Sequence, residues 1–381
     1  MDLEAIIERH KVVVCVGSGG VGKTTTAAAI GLWAALRGKR SMVLTIDPAR
    51  RLAQSLGLST LTATGERISV EPLTRLGVDV PGVMEAGMLD QKSAWDEFIV
   101  RHSPSQEVAQ TILRNEFYQH LSRSFAGSTE YMAIEELCRL HDAGRHDLLV
   151  LDTPPTSHAL DFLEAPQRLR NLLDRSVVAW LVKPYAAVGW SAWKTASRGV
   201  RFLFSRIEEA TGIQTLTQIS EFFVAMEEVF DNVNERSRRV QDLLRGEATA
   251  FVLVAGPEEQ ILGECDQLCT RMDELGMPLK GVVMNRVHPD PYGPEGEPSD
   301  EALAGLRQAL LERGADRDAC EWLLETYRGA CAVARAEGVR REEFELGLSE
   351  GVEVTSIPEM DHDVHDLAGL HEVVEYLSRK R

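Results

Sequence analysis

The strongest chemical signal in the sequence is a glycine-rich run, GSGGVGKTT, at residues 17–25. It matches the pattern G-x-x-x-x-G-K-[ST], and it lies directly after a hydrophobic run and at the start of a helical pattern. Glycines let such a loop curl, so that consecutive backbone N–H groups point at phosphate oxygens near the positive end of the helix. A glycine-rich turn without a ligand is the alternative, and the context disfavours it. The run therefore predicts nucleotide binding.

The side chains that close this loop have distinct expected roles. The Lys23 ammonium would neutralise the β- and γ-phosphates, the Thr24 hydroxyl would bind Mg²⁺, and Thr25 could donate to the α-phosphate. The remaining nucleotide-binding positions are the loop residues Gly19, Gly20, Val21 and Gly22. Lys23 is expected to contribute to catalysis as well as to binding.

Asp47 is a candidate catalytic residue, because it ends the predicted strand Ser41–Asp47. Ligands of open parallel sheets bind at the carboxyl ends of strands, so Asp47 would face the phosphates. A carboxylate there can orient or deprotonate the attacking water. The alternative is an N-cap for a helix over Ala49–Leu56, which the following Pro48 also suits, and without the phosphate loop the cap would be preferred.

Asp152 follows four apolar residues in the run LLVLD, which is the usual form of the strand whose carboxylate holds Mg²⁺, commonly through water. Thr24 and Asp152 are therefore the expected metal-site residues. The polar run Thr153–His158 would sense the γ-phosphate, with His158 as a switch residue and not as a base.

Asn285 ends a further predicted strand, Gly281–Asn285. Its amide offers both a donor and an acceptor, which is what reading the edge of adenine requires. A turn-forming asparagine is the alternative, and Asn285 considered alone would favour it.

The elements that must position these residues alternate between strands and helices. Strands are predicted at Lys11–Val16, Ser41–Asp47, Asp147–Asp152, Ala250–Ala255, Gly281–Asn285 and Val352–Ile357, and helices at Gly22–Arg37 and Glu258–Leu275. This pattern predicts an α/β fold with a mostly parallel sheet flanked by helices, and together with the phosphate loop at residues 17–25 it predicts a P-loop NTPase. We expect a single domain over residues 1–381, with an inserted helical subdomain from about 83–140 and 165–244.

Composition excludes several functional classes. The net charge of −18 disfavours bulk nucleic-acid binding. The six cysteines form no CxxC pair, no signal-peptide pattern is found at the start, and no membrane-length run lacks both charge and proline. We therefore expect a soluble protein of the cytoplasm.

Together these motifs resemble the ArsA family of deviant P-loop ATPases, which includes the arsenite-pump ATPase and the factor that targets tail-anchored proteins. The resemblance is carried by GSGGVGKTTT (17–26), TIDPARRLAQSLG (45–57), LDTPPTSHAL (151–160), VMNRV (283–287) and SIPEM (356–360). It implies ATP and Mg²⁺ as cofactors, and an obligate dimer, formed with itself or with a related ATPase, that opens and closes with nucleotide. It makes Asp47 the water-positioning residue of the first switch and Asp152 the Mg²⁺-side carboxylate of the second. Asn285 and the backbone around Pro358–Met360 would hold the adenine.

The sequence also departs from the family pattern. Ser18 stands where the family has a lysine that reaches across the dimer, and no CxxC pair for zinc occurs between Asn285 and Pro358. Arg50, Pro154 and Ser157 replace the family's His, Ala and Gly. These differences indicate a divergent bacterial-type branch whose client is not implied by membership.

Three functions remain open on the sequence. The first is a dimeric Mg²⁺-dependent ATPase that moves a helical client surface. The second is a nucleotide-dependent binding or scaffold subunit with little turnover, which could pair with a paralogue that keeps the lysine missing at Ser18. The third is a membrane-surface ATPase of the MinD/ParA kind, which the match at residues 151–160 and the acidic C-terminal segment disfavour.

A client surface is one of two interpretations of residues 176–193, SVVAWLVKPYAAVGWSAW, which lie in a basic region of this acidic chain. Core or dimer interface is the favoured interpretation, because Trp and Leu at helical spacing are usually packed. The other is an exposed apolar groove for a hydrophobic client helix or a membrane partner.

Overall fold

A computed structural model gives the fold of the protein. It describes residues 3–47, 51–58, 60–62, 65–124, 128–154, 164–165, 215–292 and 298–379. The expectations stated above for Arg50, for His158 and for residues 176–193 lie outside the described residues, as does the section 166–214.

One sheet forms the centre of the described structure. Its strands are β1 Val12–Gly17, β2 Arg40–Thr45, β3 Glu66–Arg67, β4 Val83–Met88, β5 Leu148–Asp152, β6 Thr249–Ala255, β7 Leu279–Val287 and β8 Glu353–Pro358. They lie in the order β3-β4-β2-β5-β1-β6-β7-β8, and all neighbours are parallel except β3 and β4. This confirms the predicted α/β fold with a mostly parallel sheet.

Helices cover both faces of the sheet. Those in the described ranges are α1 Leu3–Arg9, α2 Lys23–Leu36, α3 Arg51–Ser55, α4 Glu71–Arg75, α5 Gln91–His102, α6 Gln106–Arg114, α7 Glu116–Ser124, α8 Ser128–Ala143, α9 Thr215–Arg245, α10 Glu259–Leu275, α11 Asp300–Glu312, α12 Arg317–Gly347 and α13 Leu367–Ser378. Within those same ranges, no helix combines the length and the apolar composition needed to cross a membrane.

The central strands carry hydrophobic side chains on both faces, because helices cover both. Every residue of β1, β5 and β6 is buried. Val12 and Val14 pack into a cluster with side chains of helices α5 to α10, whereas Val13 and Cys15 pack into a second cluster with α2 and α13. The sheet is thus the middle of three layers. A ligand can reach it at the edge where the strands end and polar residues begin.

The expected helical section that starts at about Val83 begins with a strand instead. β4 pairs in parallel with β2 along all six of its residues, so the prediction of helix is wrong there, and the helices begin at α5. The sequence VMEAGM has one β-branched residue and includes Glu85 and Gly87, which is not the composition of a buried strand. Pairing with β2 and the burial of Met84 and Ala86 outweigh that weak local preference.

Helix α2, which begins in the phosphate loop, packs very closely on the sheet at Gly31. A Cβ atom at this position would lie 2.3 Å from Cγ2 of Val43 and 3.4 Å from Cε of Met84. Valine is stiff about χ1, so Val43 cannot swing away without strain. The missing side chain at Gly31 therefore sets how closely the phosphate-loop helix approaches β2.

We expect Gly31→Ala to lower the free energy of unfolding by about 1–3 kcal/mol, because overpacking at Val43 outweighs the better helix propensity of alanine. Gly329→Ala is the matched control. Gly329 lies in α12 with nothing within 4 Å of its added Cβ, so this change should stabilise by about 0.5–1 kcal/mol. Urea unfolding of both variants measures the difference. Equal stabilisation by both would show that α2 has room to move.

Candidate functional site

A cavity of about 980 Å³ lies where the carboxyl ends of the parallel strands meet the start of α2. Of the site residues predicted from the sequence, Gly20, Gly22, Lys23, Thr24, Thr25, Asp47, Asn285 and Pro358 line it. Gly19 and Val21 belong to the same loop but are not part of that lining. Asp152 lies directly behind Thr24, to which it is hydrogen-bonded. The structure thus brings together residues that lie far apart in the sequence.

The phosphate loop ends at Gly22, the N-cap of α2, which has the left-handed conformation φ 95°, ψ 22°. L side chains avoid this region, so glycine is required by conformation. It is also required by space, since a Cβ at Gly22 would lie 2.3 Å from Nδ2 of Asn285. Because the loop turns here, the first N–H groups of α2 have no helical acceptor and can bind an anion.

Lys23 is a largely buried cation, with a relative exposure of 7%. Its Nζ donates to the backbone carbonyl of Ser18 over 2.7 Å, so the ammonium folds back over the loop. Burial lowers the pKa of Lys23, while the nearby carboxylate of Asp152 opposes that shift. A buried ammonium bonded to a neutral carbonyl gains from a nearby anion, which is how a bound phosphate would act on it.

Asp152 is buried at the end of β5, with a relative exposure of 1%. Its Oδ2 accepts hydrogen bonds from Oγ1 of Thr24 at 2.8 Å and from Oγ1 of Thr45 at 2.9 Å. Its Oδ1 is buried and has no hydrogen-bond partner among the described residues. Burial raises the pKa of Asp152 to about 6, although both threonine hydroxyls and Lys23 act in the opposite direction.

These residues fit a magnesium ion. Mg²⁺ prefers oxygen ligands, keeps several waters, and is usually held by few protein groups together with substrate phosphates. The Thr24 hydroxyl donates a hydrogen bond to Asp152, so the lone pairs of its oxygen remain able to face a cation. The unpartnered Oδ1 of Asp152 is an acceptor that a metal-bound water would satisfy.

Asp47 lies two residues beyond β2, so the expectation that it ends that strand is wrong by two residues: the ladder with β5 ends where Thr45 pairs with Asp152. Its backbone N–H donates to Oγ1 of Thr45 at 3.2 Å, which ties it to the Asp152 cluster. Its Oδ2 lies 3.7 Å from Nε of Arg51. The helix-cap alternative depends on residues 48–50, which lie outside the described residues, and Asp47 lines the cavity.

Asn285 lies inside β7 and not at its end, because the strand continues through an irregularity. The pairing with β8 shifts between Met284 and Val287, and Arg286 has φ 58°. In the described part of the chain, Arg286 is the one non-glycine residue with positive φ. This bulge accompanies a contact that sequence reasoning missed: Nδ2 of Asn285 donates to the carbonyl of Val21 at 2.8 Å. Asn285 therefore holds the phosphate loop, and the adenine contact stays a prediction.

Ser18 is buried under helix α10, with a relative exposure of 2%. Its Oγ donates to Oε2 of Glu264 at 2.8 Å. Nothing in the sequence pattern pointed to Glu264, which lies far from Ser18 in the chain. Thr45 was also missed. It is a polar residue at the end of an apolar strand, two positions before Asp47, and this pattern could have identified it.

Comparison with known proteins agrees with this geometry. The family described as "Anion-transporting ATPase" (ArsA_ATPase) matches residues 10–297. An ATPase ASNA1 homolog of Paramecium tetraurelia is 24% identical over 271 residues, 71% of this chain and 74% of its own length. A putative arsenical pump-driving ATPase 1 of Aquifex aeolicus is 24% identical over 285 residues, 74% of this chain and 64% of its own length. An ATPase GET3 of Malassezia globosa is 24% identical over 287 residues, 75% and 76% of the two chains.

The matched range contains the phosphate loop, Asp47, Asp152 and Asn285, and it covers most of the sheet. This confirms the resemblance that the motifs indicated. The chain belongs to the ArsA family of ATPases.

Proposed function

We propose that this ATPase hydrolyses ATP in a Mg²⁺-dependent reaction, and that nucleotide opens and closes a dimer whose helical surface contacts a client or partner. The observation that carries the proposal is the cluster of Lys23, Thr24, Asp152 and Asp47 around one cavity at the carboxyl edge of the sheet. A cation, a hydroxyl, a buried carboxylate and a partly exposed carboxylate are the groups that phosphoryl transfer to water needs.

In the proposed reaction the loop residues Gly19 to Gly22 bind the phosphate oxygens through backbone N–H groups. Lys23 exchanges its carbonyl acceptor on Ser18 for the β- and γ-phosphates, and thereby stabilises the charge that spreads over the transferred group. Thr24 and Asp152 would hold Mg²⁺, which when bound would supply further neutralisation of the phosphate charge. Thr25, which also lines the cavity, donates to the α-phosphate.

Asp47 orients the attacking water and accepts its proton in this proposal. The residue suits the role because its side chain is 21% exposed, so that water reaches it, whereas Asp152 is closed off. The backbone bond to Thr45 fixes its distance from the metal-site carboxylate. Asn285 and Pro358 line the same cavity, which supports the expectation that they contact the adenosine part of ATP.

The family resemblance supports a proposal for the partners of the reaction. We propose a homodimer or a heterodimer with a related ATPase in the cytoplasm, and a hydrophobic helix or a membrane as the client. The candidate client segment, residues 176–193, lies outside the described residues.

A second candidate function is a nucleotide-dependent binding subunit with little turnover. The observation that favours it is Ser18, because a neutral buried side chain bonded to Glu264 cannot deliver a cation to a partner's nucleotide. Arg286 lines the cavity and is a candidate substitute for that cation. Phosphate release measured with and without Mg²⁺ separates the two functions, and turnover at the background rate in both conditions would favour the binding subunit. A membrane-surface ATPase remains the least supported alternative.

We expect Lys23→Ala to reduce ATP turnover by about 10²–10³-fold or more, because the transferred phosphoryl group loses a fixed cation. Asp47→Asn should keep ATP binding and reduce turnover by about 10²–10⁴-fold, since the amide preserves shape and cannot accept a proton. Phosphate release and equilibrium ATP binding measure both effects. Lys280→Ala and Asp79→Asn, on exposed residues outside the cavity, are matched controls. Wild-type turnover by Asp47→Asn would assign Asp47 to a helix cap.

Asp152→Asn should abolish the additional thermal stabilisation that Mg²⁺ gives to the nucleotide-bound protein, while stabilisation by nucleotide alone remains. Without ligands, burial raises the pKa of Asp152 in the folded state to about 6. The folded protein therefore binds a proton there at a higher pH than the unfolded chain does, and protonation favours folding. The stability of the wild type relative to Asp152→Asn should therefore rise on acidification from pH 7 to 5. Melting curves across this pH range measure it, and a constant difference would contradict the role of burial.

Ser18→Lys tests the missing cation. A cation delivered across an interface raises phosphoryl-transfer rates by roughly 10³–10⁵-fold in other systems. We therefore expect slow turnover by the wild-type protein alone and faster turnover by the variant, measured by phosphate release. Fast turnover by the wild type together with no gain in Ser18→Lys would show that neither a lysine nor a paralogous partner is needed.

A further inference from the structure

One turn of helix α12 is attached near the carboxyl ends of three neighbouring strands, β6, β7 and β8. Nε of Arg340 donates to the carbonyl of Pro257, after β6, at 2.9 Å. Nη1 of Arg341 lies 3.4 Å from Oγ of Ser356 in β8. Glu337, which lies on the same helix face by its spacing, contacts His288 after β7. This turn therefore fixes three strand ends at the edge of the sheet that holds the cavity.

Glu337 makes the strongest of these attachments. The residue is buried, with 5% exposure, and its two oxygens accept from the backbone N–H and from the ring Nδ1 of His288, both at 2.8 Å. The other ring nitrogen, Nε2, lies 3.1 Å from Oε2 of Glu359. A buried carboxylate is tolerated only when it is paired in this way. Glu337, His288 and Glu359 thus form a bridge, which we call the Glu–His–Glu bridge, from α12 to the segment after β8.

The outer end of the Glu–His–Glu bridge reaches the cavity. Glu359 lines it together with Pro358 and Met360, and Arg286, two residues before His288, lines it as well. In the proposed ATP site the phosphates bind at Lys23, which lines one end of the cavity. The ribose and base must therefore occupy the rest of the cavity, of which Pro358–Met360 is one wall.

We propose that Glu337 and His288 are positioning residues, which act through Glu359 to hold the wall that contacts the nucleoside part of ATP. Neither residue touches the nucleotide in this assignment. Their contribution is to the affinity for the nucleoside and to the preference for one base, and not to the bond-breaking step. This inference rests on the proposed ATP site at Lys23, and it adds the helix that shapes the other end of that site.

The test separates the two ends of the cavity by using two probes. Calorimetry measures the dissociation constants of Mg-ATP, Mg-GTP and Mg-tripolyphosphate, and phosphate release measures kcat. The variants are Glu337→Ala, Glu337→Gln and His288→Ala. Glu343→Ala is the matched control, because Glu343 is an exposed acid of α12 outside the cavity lining.

We expect Glu337→Ala and His288→Ala to weaken ATP binding by about tenfold, the effect of losing one or two hydrogen bonds, and to reduce the preference for ATP over GTP. Tripolyphosphate affinity and kcat at saturating ATP should stay near the wild-type values. Glu337→Gln should recover part of the ATP affinity, since its amide oxygen still accepts one hydrogen bond from His288. Glu343→Ala should match the wild type.

His288→Ala decides the outcome if Glu337→Ala does not fold, because the His288 side chain is 47% exposed and its removal opens no core cavity. Unchanged ATP affinity in His288→Ala would overturn the inference, and so would an equal loss of tripolyphosphate binding. Lys23→Ala reports on the proposed function separately. If that variant binds ATP and tripolyphosphate as the wild type does, the ATP site itself is wrong, whatever the bridge variants show.

Discussion

A charged carboxylate at the centre of the sheet is the constraint on which the site depends. Asp152 ends β5, between β1 and β2, where helices and strands exclude water. Burying that charge is unfavourable unless neighbours compensate it. Two threonine hydroxyls, from the start of α2 and the end of β2, supply hydrogen bonds, and Lys23 supplies the opposite charge. The hydrogen bonds that Asp152 accepts therefore hold the start of α2, where the phosphate loop ends, next to strand β2.

The strand order explains why these groups meet. Parallel strands direct their carboxyl ends to one edge, and β1 lies between β5 and β6 in the middle of that edge. Thr45 and Asp152 come from β2 and β5 on one side of β1. Asn285 and the wall after β8 come from β7 and β8 on the other side. The cavity therefore spans both halves of the sheet, with the phosphate loop after β1 between them.

Sequence reasoning recovered the parts of this arrangement that local pattern encodes. Short runs of Val, Leu and Ile predicted six strands, and the rule that ligands bind at strand ends placed Asp47, Asp152 and Asn285 near the phosphate loop. It missed β4, whose residues have little strand preference and are held by pairing with β2. It also missed the pairs Ser18–Glu264 and His288–Glu337, since each joins residues that no shared motif or period connects. Contacts of this kind follow from how α10 and α12 pack, which composition does not reveal.

The tight packing of Gly22 against Asn285 has a consequence for how such a sequence can diverge. The amide nitrogen occupies the space where a side chain at Gly22 would begin, and it also holds the carbonyl of Val21. A side chain at Gly22 would meet both a strained backbone conformation and the amide of Asn285. The freedom of this turn to change is therefore limited by its own backbone and by a side chain from another strand, with 262 residues between the two positions.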